Sequence, residues 1–387
     1  MKYPILLLVL FLGACTKNIK KTEKAETTTQ EACDFGFTQF NLSKRAPGFS
    51  DATDISAKGG PNSGGDATSA PNAVILLDFN GQYVSGTNWN TNGPITAAPA
   101  NLTSTEITNI LNRVIADFDP FNVVVTTDEA VYNAANAYKR MRVIVTESWE
   151  WYSQVGGVAF VNSITWGNNT PCFVFSSLLE YNAKKIAEAC SHEVGHTLGL
   201  RHQAVYDANG VKISDYNWGQ GNGEIGWAPI MGASYNQNLS IWHYGPNSLS
   251  ATTMQDDVNI IAGKIGFKAD DYSNSIAGTT TLSTSAVGVI NSTSDVDYFK
   301  IKLNQTKNIS IVPLSVGANN DGSDLDVIMK VYNSQGVLIG SVNDPMILNA
   351  SNTLSSGTYY VSVGSIANNY TSTYGMLSRY KINIGNP

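Results

Sequence analysis

Residues 74–79 form a run that is apolar except for Asp78, the pattern of a strand buried on both faces. Thr103 and Ser104 then precede Glu106 and apolar residues at Ile107, Ile110, Leu111, Val114, Ile115 and Phe118. That spacing predicts an amphipathic helix opened by a capping box and ended by Pro120. β-Branched runs at 121–126 and 141–146, with 157–161 and 172–176, predict four further strands. Helices are expected over about 180–198 and 254–265. One strand, a helix, several strands and a helix in this order predict a twisted mixed sheet with helices packed on it.

Past residue 270 the period changes. Asp297, Phe299, Ile301 and Leu303 alternate with Val296, Tyr298, Lys300 and Lys302. Short runs at 309–314, 325–332, 337–342, 358–363 and 380–384 follow at regular spacing, and no helical period intervenes. This predicts a separate all-β sandwich. The fold class is therefore α+β, with a mixed sheet-and-helix domain over 73–268 and a β-sandwich over 269–387. Upstream, residues 16–32 are rich in Lys, Glu and Thr, and 44–72 contain Gly59-Gly60-Pro61-Asn62-Ser63-Gly64-Gly65. No Lys-Ser/Thr pair follows those glycines and no helix opens there, so residues 15–72 read as a flexible linker and not a phosphate loop.

Composition narrows the function. The 387 residues are 42% apolar but only 14% charged, with a formal net charge of −7. Without a basic face, nucleic acid is excluded as a partner. Met1-Lys2 followed by the apolar run 5–12 is a targeting segment too short to span a bilayer. It ends in Leu12-Gly13-Ala14-Cys15, which resembles the lipobox of bacterial lipoproteins. That resemblance implies a signal peptide over 1–14, a lipid anchor on Cys15, and an exported protein held to a membrane at the cell surface or in the periplasm. Export favours disulfides, and Cys172 and Cys190 are expected to pair, leaving Cys33 as an odd thiol in the linker.

Residues 192–202 read His-Glu-Val-Gly-His-Thr-Leu-Gly-Leu-Arg-His. On a helix His192 and His196 project from one face and can converge on one ion. Gly199 can end the helix and turn the chain sharply, returning His202 as a third ligand. Three imidazoles leave a fourth position open, which is the catalytic form of a zinc site. Glu193 stands beside that position as a general base for metal-activated water. Three of the chain's four histidines fall in this one pattern. A serine hydrolase is excluded, since no Gly-x-Ser-x-Gly is present.

The motif is similar to the signature of the metzincin metallopeptidases, and Ala228-Pro229-Ile230-Met231-Gly232 resembles their Met-turn, which implies that Met231 lies under the metal. The resemblance covers about residues 73–266. It implies a zinc endopeptidase acting on extracellular proteins, with the peptide substrate extended along an edge strand at about 156–161. The stretch 216–227 is expected to border the cleft. Tyr235 is either an oxyanion stabiliser or a cleft-wall tyrosine, and His243 either lines the cleft or is a hydrogen-bonded structural residue.

The tail resembles bacterial pre-peptidase C-terminal domains through Asp295-Val296-Asp297-Tyr298-Phe299, Ser323-Asp324-Leu325-Asp326-Val327 and Gly357-Thr358-Tyr359-Tyr360-Val361. Asp295, Asp297, Asp324 and Asp326 are hard oxygen donors for calcium, or else turn-forming residues at strand starts. The rival to the enzyme is a surface lipoprotein or adhesin whose peptidase fold holds zinc without catalysis. The intact Glu193 favours the enzyme.

Overall fold

A computed structural model describes residues 17–18, 31–35, 72–317 and 320–387. Cys15 and the segment before it lie outside the described residues. The first domain is built on a seven-stranded sheet. Its strands are β1 (Lys17–Asn18), β2 (Glu31–Asp34), β3 (Ala73–Asp78), β4 (Val123–Thr126), β5 (Arg140–Thr146), β6 (Gly157–Phe160) and β7 (Cys172–Phe175), in the order β1-β2-β6-β7-β5-β3-β4. The strands β4, β3, β5 and β7 run parallel, whereas β6 is antiparallel to β7.

Two long helices, α1 (Ser104–Phe118) and α3 (Ala183–Thr197), cover one face of this sheet. Alternation along β5 sends Val143 and Val145 under the helices and Ile144 to the opposite face, against Phe173, Phe175 and Val158. The expected capping box closes α1: Thr103 Oγ1 accepts the Glu106 N–H at 3.3 Å, and Glu106 Oε2 accepts the Thr103 N–H at 2.8 Å. A short α2 (Glu129–Ala134) and α4 (Asp257–Ile265) complete the helices. Among the described residues no helix is long and apolar enough to cross a membrane.

The span expected to be linker is corrected at two places, since β1 and β2 belong to the sheet. Cys33 is buried in β2, not in a flexible segment. The expected disulfide is also absent: Cys172 and Cys190 are buried thiols. Both pack as small apolar groups between sheet and α3, and the Cys172 Sγ faces the Arg142 carbonyl at 3.7 Å.

The second domain is a sandwich of two sheets. Its strands are β8 (Thr280–Leu282), β9 (Ser285–Val289), β10 (Asp297–Leu303), β11 (Lys307–Pro313), β12 (Val327–Tyr332), β13 (Leu338–Val342), β14 (Ala350–Leu354), β15 (Gly357–Ser365) and β16 (Arg379–Gly385). One sheet runs β8-β10-β15-β12-β13 and the other β9-β16-β11-β14. Period-2 burial of Phe299, Ile301 and Leu303 faces Ile309, Ile311 and Ile382 across the sandwich.

The sandwich docks on the end of α1. Arg379 Nε binds Asp119 at 2.5 Å, Arg113 Nη2 binds Asp321 at 2.5 Å, and Ser378 Oγ donates to the Ala116 carbonyl at 3.4 Å. Asp324 enters this junction beside Asp117 and Glu188, and Asp117 accepts from Ser191. Burial first, then the neighbouring negative charge, pushes both Asp117 and Asp324 well above the usual carboxylate range. A raised pKa in the folded state means that this pair supports folding at acid pH, with the support lost as pH climbs above about 4. Asp324→Asn should therefore melt higher than the parent at pH 8, by about 2–4 °C per kcal/mol, and the gain should shrink toward pH 4. A thermal melt at both pH values checks it; a lower melting point at pH 8 would contradict the assignment.

Candidate metal centre

The local sequence makes the centre. Asn182 caps the start of α3 by accepting the Lys185 N–H at 3.1 Å, and the last two turns carry His192, Glu193 and His196 into the interior. At the other end Gly199 adopts φ 105°, a region open to glycine, and the Leu200 N–H reaches back to the Gly195 carbonyl at 3.0 Å. This turn returns His202 to the helix. Ring centroids are 4.7 Å apart for His192 and His196, 4.9 Å for His196 and His202, and 5.1 Å for His192 and His202. Their ligand atoms all lie within 4.8 Å of one another, and all three rings are buried.

The outer nitrogens fix the tautomers. His192 Nδ1 lies 2.8 Å from the Ile230 carbonyl and His196 Nδ1 lies 2.8 Å from the Leu200 carbonyl. A carbonyl only accepts, so each Nδ1 carries the proton and each Nε2 keeps a lone pair facing inward. Those two Nε2 atoms are buried without a hydrogen-bond partner. Orphaned buried acceptors are costly, and a metal ion is the partner that three convergent imidazoles suit. Burial holds His192 and His202 well below the usual imidazole range and takes His196 down to about 4, so all three are neutral, the form that ligates.

Met231 is fully buried with its sulfur against Gly195, where any Cβ would overlap it. The Ile230 carbonyl orients His192, and the Met231 carbonyl accepts the Gln203 N–H at 2.7 Å. Glu193 is buried below the first residue of β6: a Cβ on Gly157 would come within 2.7 Å of its Cγ and Oε1. Tyr235 is buried, and the Tyr216 ring lies tilted against that of His202, centroids 4.4 Å apart, within the stretch expected to border the cleft. His243 stands apart, 4.9 Å from the ring of Trp227, and burial takes its pKa down to about 4.

The sequence reading is corrected again at the four aspartates. They do not converge. Asp324 serves the domain junction, and Asp326 accepts from Asn368 at 3.3 Å. Asp297 instead joins Asp270 and Asp271, with ligand oxygens within 4.8 Å, and Asp295 lies beside them. The two segments lead into different strands, 295–297 into β10 and 324–326 into β12, which carries them to different places. Phe35, stacked on His192 at 4.0 Å, was invisible in the sequence; its only signal was the brief Ala-Cys-Asp-Phe run inside a polar stretch.

Three imidazoles gathered by a glycine turn above a methionine loop make a centre similar to that of the metzincin metallopeptidases. The comparison with known families agrees: residues 101–203 match the metallo-peptidase family M12B, reprolysin-like. That match runs from the start of α1 to just past His202. No curated protein matches the sequence. Among solved structures, the chain is similar to the pre-peptidase C-terminal domain of a collagenase from Bacillus anthracis, at 15% identity over 27% of this chain and 91% of that one, with a TM-score of 0.19. It is also similar to CorA, a surface-associated copper-binding protein of Methylomicrobium album BG8, at 11% identity over 28% and 98%, with a TM-score of 0.21.

Proposed function

We propose that the chain is a zinc-dependent endopeptidase that hydrolyses peptide bonds of extracellular proteins, with His192, His196 and His202 holding the metal and Glu193 as general base. The observation that carries this is the pair of buried Nε2 lone pairs beside His202, with the Glu193 carboxylate one residue along the same helix. Zinc, when bound, supplies Lewis acidity that polarises a peptide carbonyl and acidifies water. The residues do the rest. Ile230 and Leu200 keep both helix imidazoles in the ligating tautomer. Glu193 takes the proton from water and passes it to the leaving amine. The strand expected from the sequence to be an edge that pairs with an extended peptide, β6, is instead flanked on both sides, by β2 and β7.

The experiment is metal analysis with an activity assay on the purified chain. About one zinc per chain is expected, with cleavage of a denatured protein abolished by a chelator and restored by zinc. Activity that survives complete removal of metal would refute the reading.

We also propose calcium at Asp270, Asp271 and Asp297, which keeps only Asp297 of the four residues expected from the sequence. Asp297 is fully buried, and its Oδ1 has no hydrogen-bond partner. Millimolar calcium should raise the melting temperature of the parent and leave Asp297→Asn unmoved; an equal shift in both would end the assignment.

A further inference from the structure

The chain leaves the metal centre at Tyr216, whose ring lies against that of His202, and returns to it at Ile230, whose carbonyl orients His192. Between these points Gly219, Gly221 and Gly223 all have positive φ, at 65°, 86° and 67°. A backbone with so little side-chain preference takes its shape from what it rests on.

The two ends of this loop rest on the first domain. At one end the Asn217 N–H donates to the Gln203 carbonyl at 2.7 Å, and the Ala233 N–H to the Asn217 carbonyl at 2.9 Å. At the other, Trp227–Pro229 runs parallel to Leu239–Ile241, and the Ile230 N–H donates to the Ile241 carbonyl at 3.0 Å. The middle rests on the sandwich. Glu224 Oε2 accepts from Asn320 Nδ2 at 2.7 Å and from the Leu348 N–H at 3.2 Å. Bonds to a carboxylate are the strong kind. Asn238 Nδ2 bridges the two bodies, donating to the Glu224 carbonyl at 2.9 Å and to the Asn320 carbonyl at 3.3 Å. Gln220 Nε2 donates to the Tyr370 carbonyl at 2.8 Å, and the Tyr370 ring sits where a Cβ on Gly221 would overlap it. Asn320 lies before β12, Leu348 before β14 and Tyr370 between β15 and β16, so separate parts of the sandwich converge on this one loop. The ion pairs of Arg379 and Arg113 already dock the sandwich on α1 without it.

We propose that the sandwich is part of the substrate-binding apparatus: through Gln220, Gly221 and Glu224 it fixes the 216–230 loop beside His202, and the affinity for peptide depends on that hold. This rests on the peptidase reading and adds what shapes the cleft. Glu224, Asn320 and Tyr370 are positioning residues that act through the loop. Without its middle support the glycine-rich stretch samples many shapes. Peptide then binds only the fraction of chains whose loop is in place, and apparent affinity falls by that fraction. The Ile230 end keeps its own strand pairing, so the imidazoles and Glu193 stay as they are. The loss belongs in KM and not in kcat.

The test uses the full zinc-loaded chain with Glu224→Ala, Asn320→Gly and, as the conservative control, Glu224→Gln. Glycine at 320 accepts the φ of 56° that Asn320 adopts and removes only the side-chain amide. Glu224→Ala and Asn320→Gly should each raise KM for a fluorescent casein peptide by about tenfold, with kcat within about threefold of the parent and zinc content unchanged. Glu224→Gln still offers an oxygen to both donors and should stay close to the parent. Hydrogen exchange over residues 217–227 should quicken by about tenfold in the first two variants while that of α3 stays unchanged. KM and exchange like the parent's in both variants overturn the inference, as does faster exchange with unchanged KM, or a loss confined to kcat. If Glu224→Ala fails to fold, Asn320→Gly decides alone. If the parent cuts no peptide, the peptidase reading falls, and binding of the same peptide read by fluorescence anisotropy decides: weaker binding by the variants supports the hold, and equal binding overturns it.

Discussion

Glu193→Gln is expected to slow peptide hydrolysis by about 10²–10⁴-fold while zinc content stays at the level of the parent. The substitution keeps the shape that fits beneath Gly157 and removes only the capacity to accept a proton. The three imidazoles are oriented by the Ile230 and Leu200 carbonyls and by the turn at Gly199, none of which involves the Glu193 side chain. Metal binding and proton transfer should therefore separate. In contrast, His192→Ala removes a ligand and should lose zinc along with activity, because two remaining imidazoles no longer complete the site. The measurement is kcat on a fluorogenic peptide beside zinc stoichiometry for each variant. A Glu193→Gln enzyme that keeps turnover within about threefold of the parent would leave no room for a general base at this position.

The part of this site that was legible in the sequence is the part held by local geometry. His192, Glu193 and His196 lie within five residues on one helix, and Gly199 and His202 complete the pattern within the next two turns of chain. Helical spacing and the conformational freedom of glycine are enough to place them. Met231 was legible because it sits in a short loop framed by Pro229 and Gly232. What could not be read depends on distant pairings. The partner of Cys33 is Ala159, and a strand of four residues in a polar context carries no period long enough to detect. Nor did Cys172 and Cys190 disclose that both are core thiols, since export says only that a bond is chemically allowed. The aspartates fail for the same reason. Two similar Asp-x-Asp sequences offered four calcium donors or turn residues, but the sandwich sends Asp297 to Asp270 and Asp271, Asp324 toward α1 and Asp326 to Asn368.

Trp242→Ala should cost about 3–5 kcal/mol of stability, the range for removing a large buried aromatic ring. Trp242 follows the short strand Leu239–Ile241 and is almost wholly buried. Its Nε1 donates to the Asp117 carbonyl at 2.6 Å, and its ring meets Phe118 at 5.2 Å and Phe121 at 6.4 Å. On the other side the Trp242 backbone is so close to Gly375 that a Cβ there would overlap it, which ties the sandwich to the same point. Alanine therefore opens a cavity, orphans a buried carbonyl at the end of α1 and loosens the junction between domains. The loss should reach the metal as well. The Ile241 carbonyl accepts the Ile230 N–H at 3.0 Å, and the Ile230 carbonyl is what orients His192. At about 2–4 °C per kcal/mol the melting temperature should fall by roughly 6–20 °C, and a competing chelator should strip zinc faster than from the parent. Trp242→Phe, which fills most of the cavity, should recover the larger share of both. A Trp242→Ala chain that melts and holds zinc like the parent would mean that the Met231 loop is positioned without this ring, and that the strand behind it, not the aromatic wedge, carries the support.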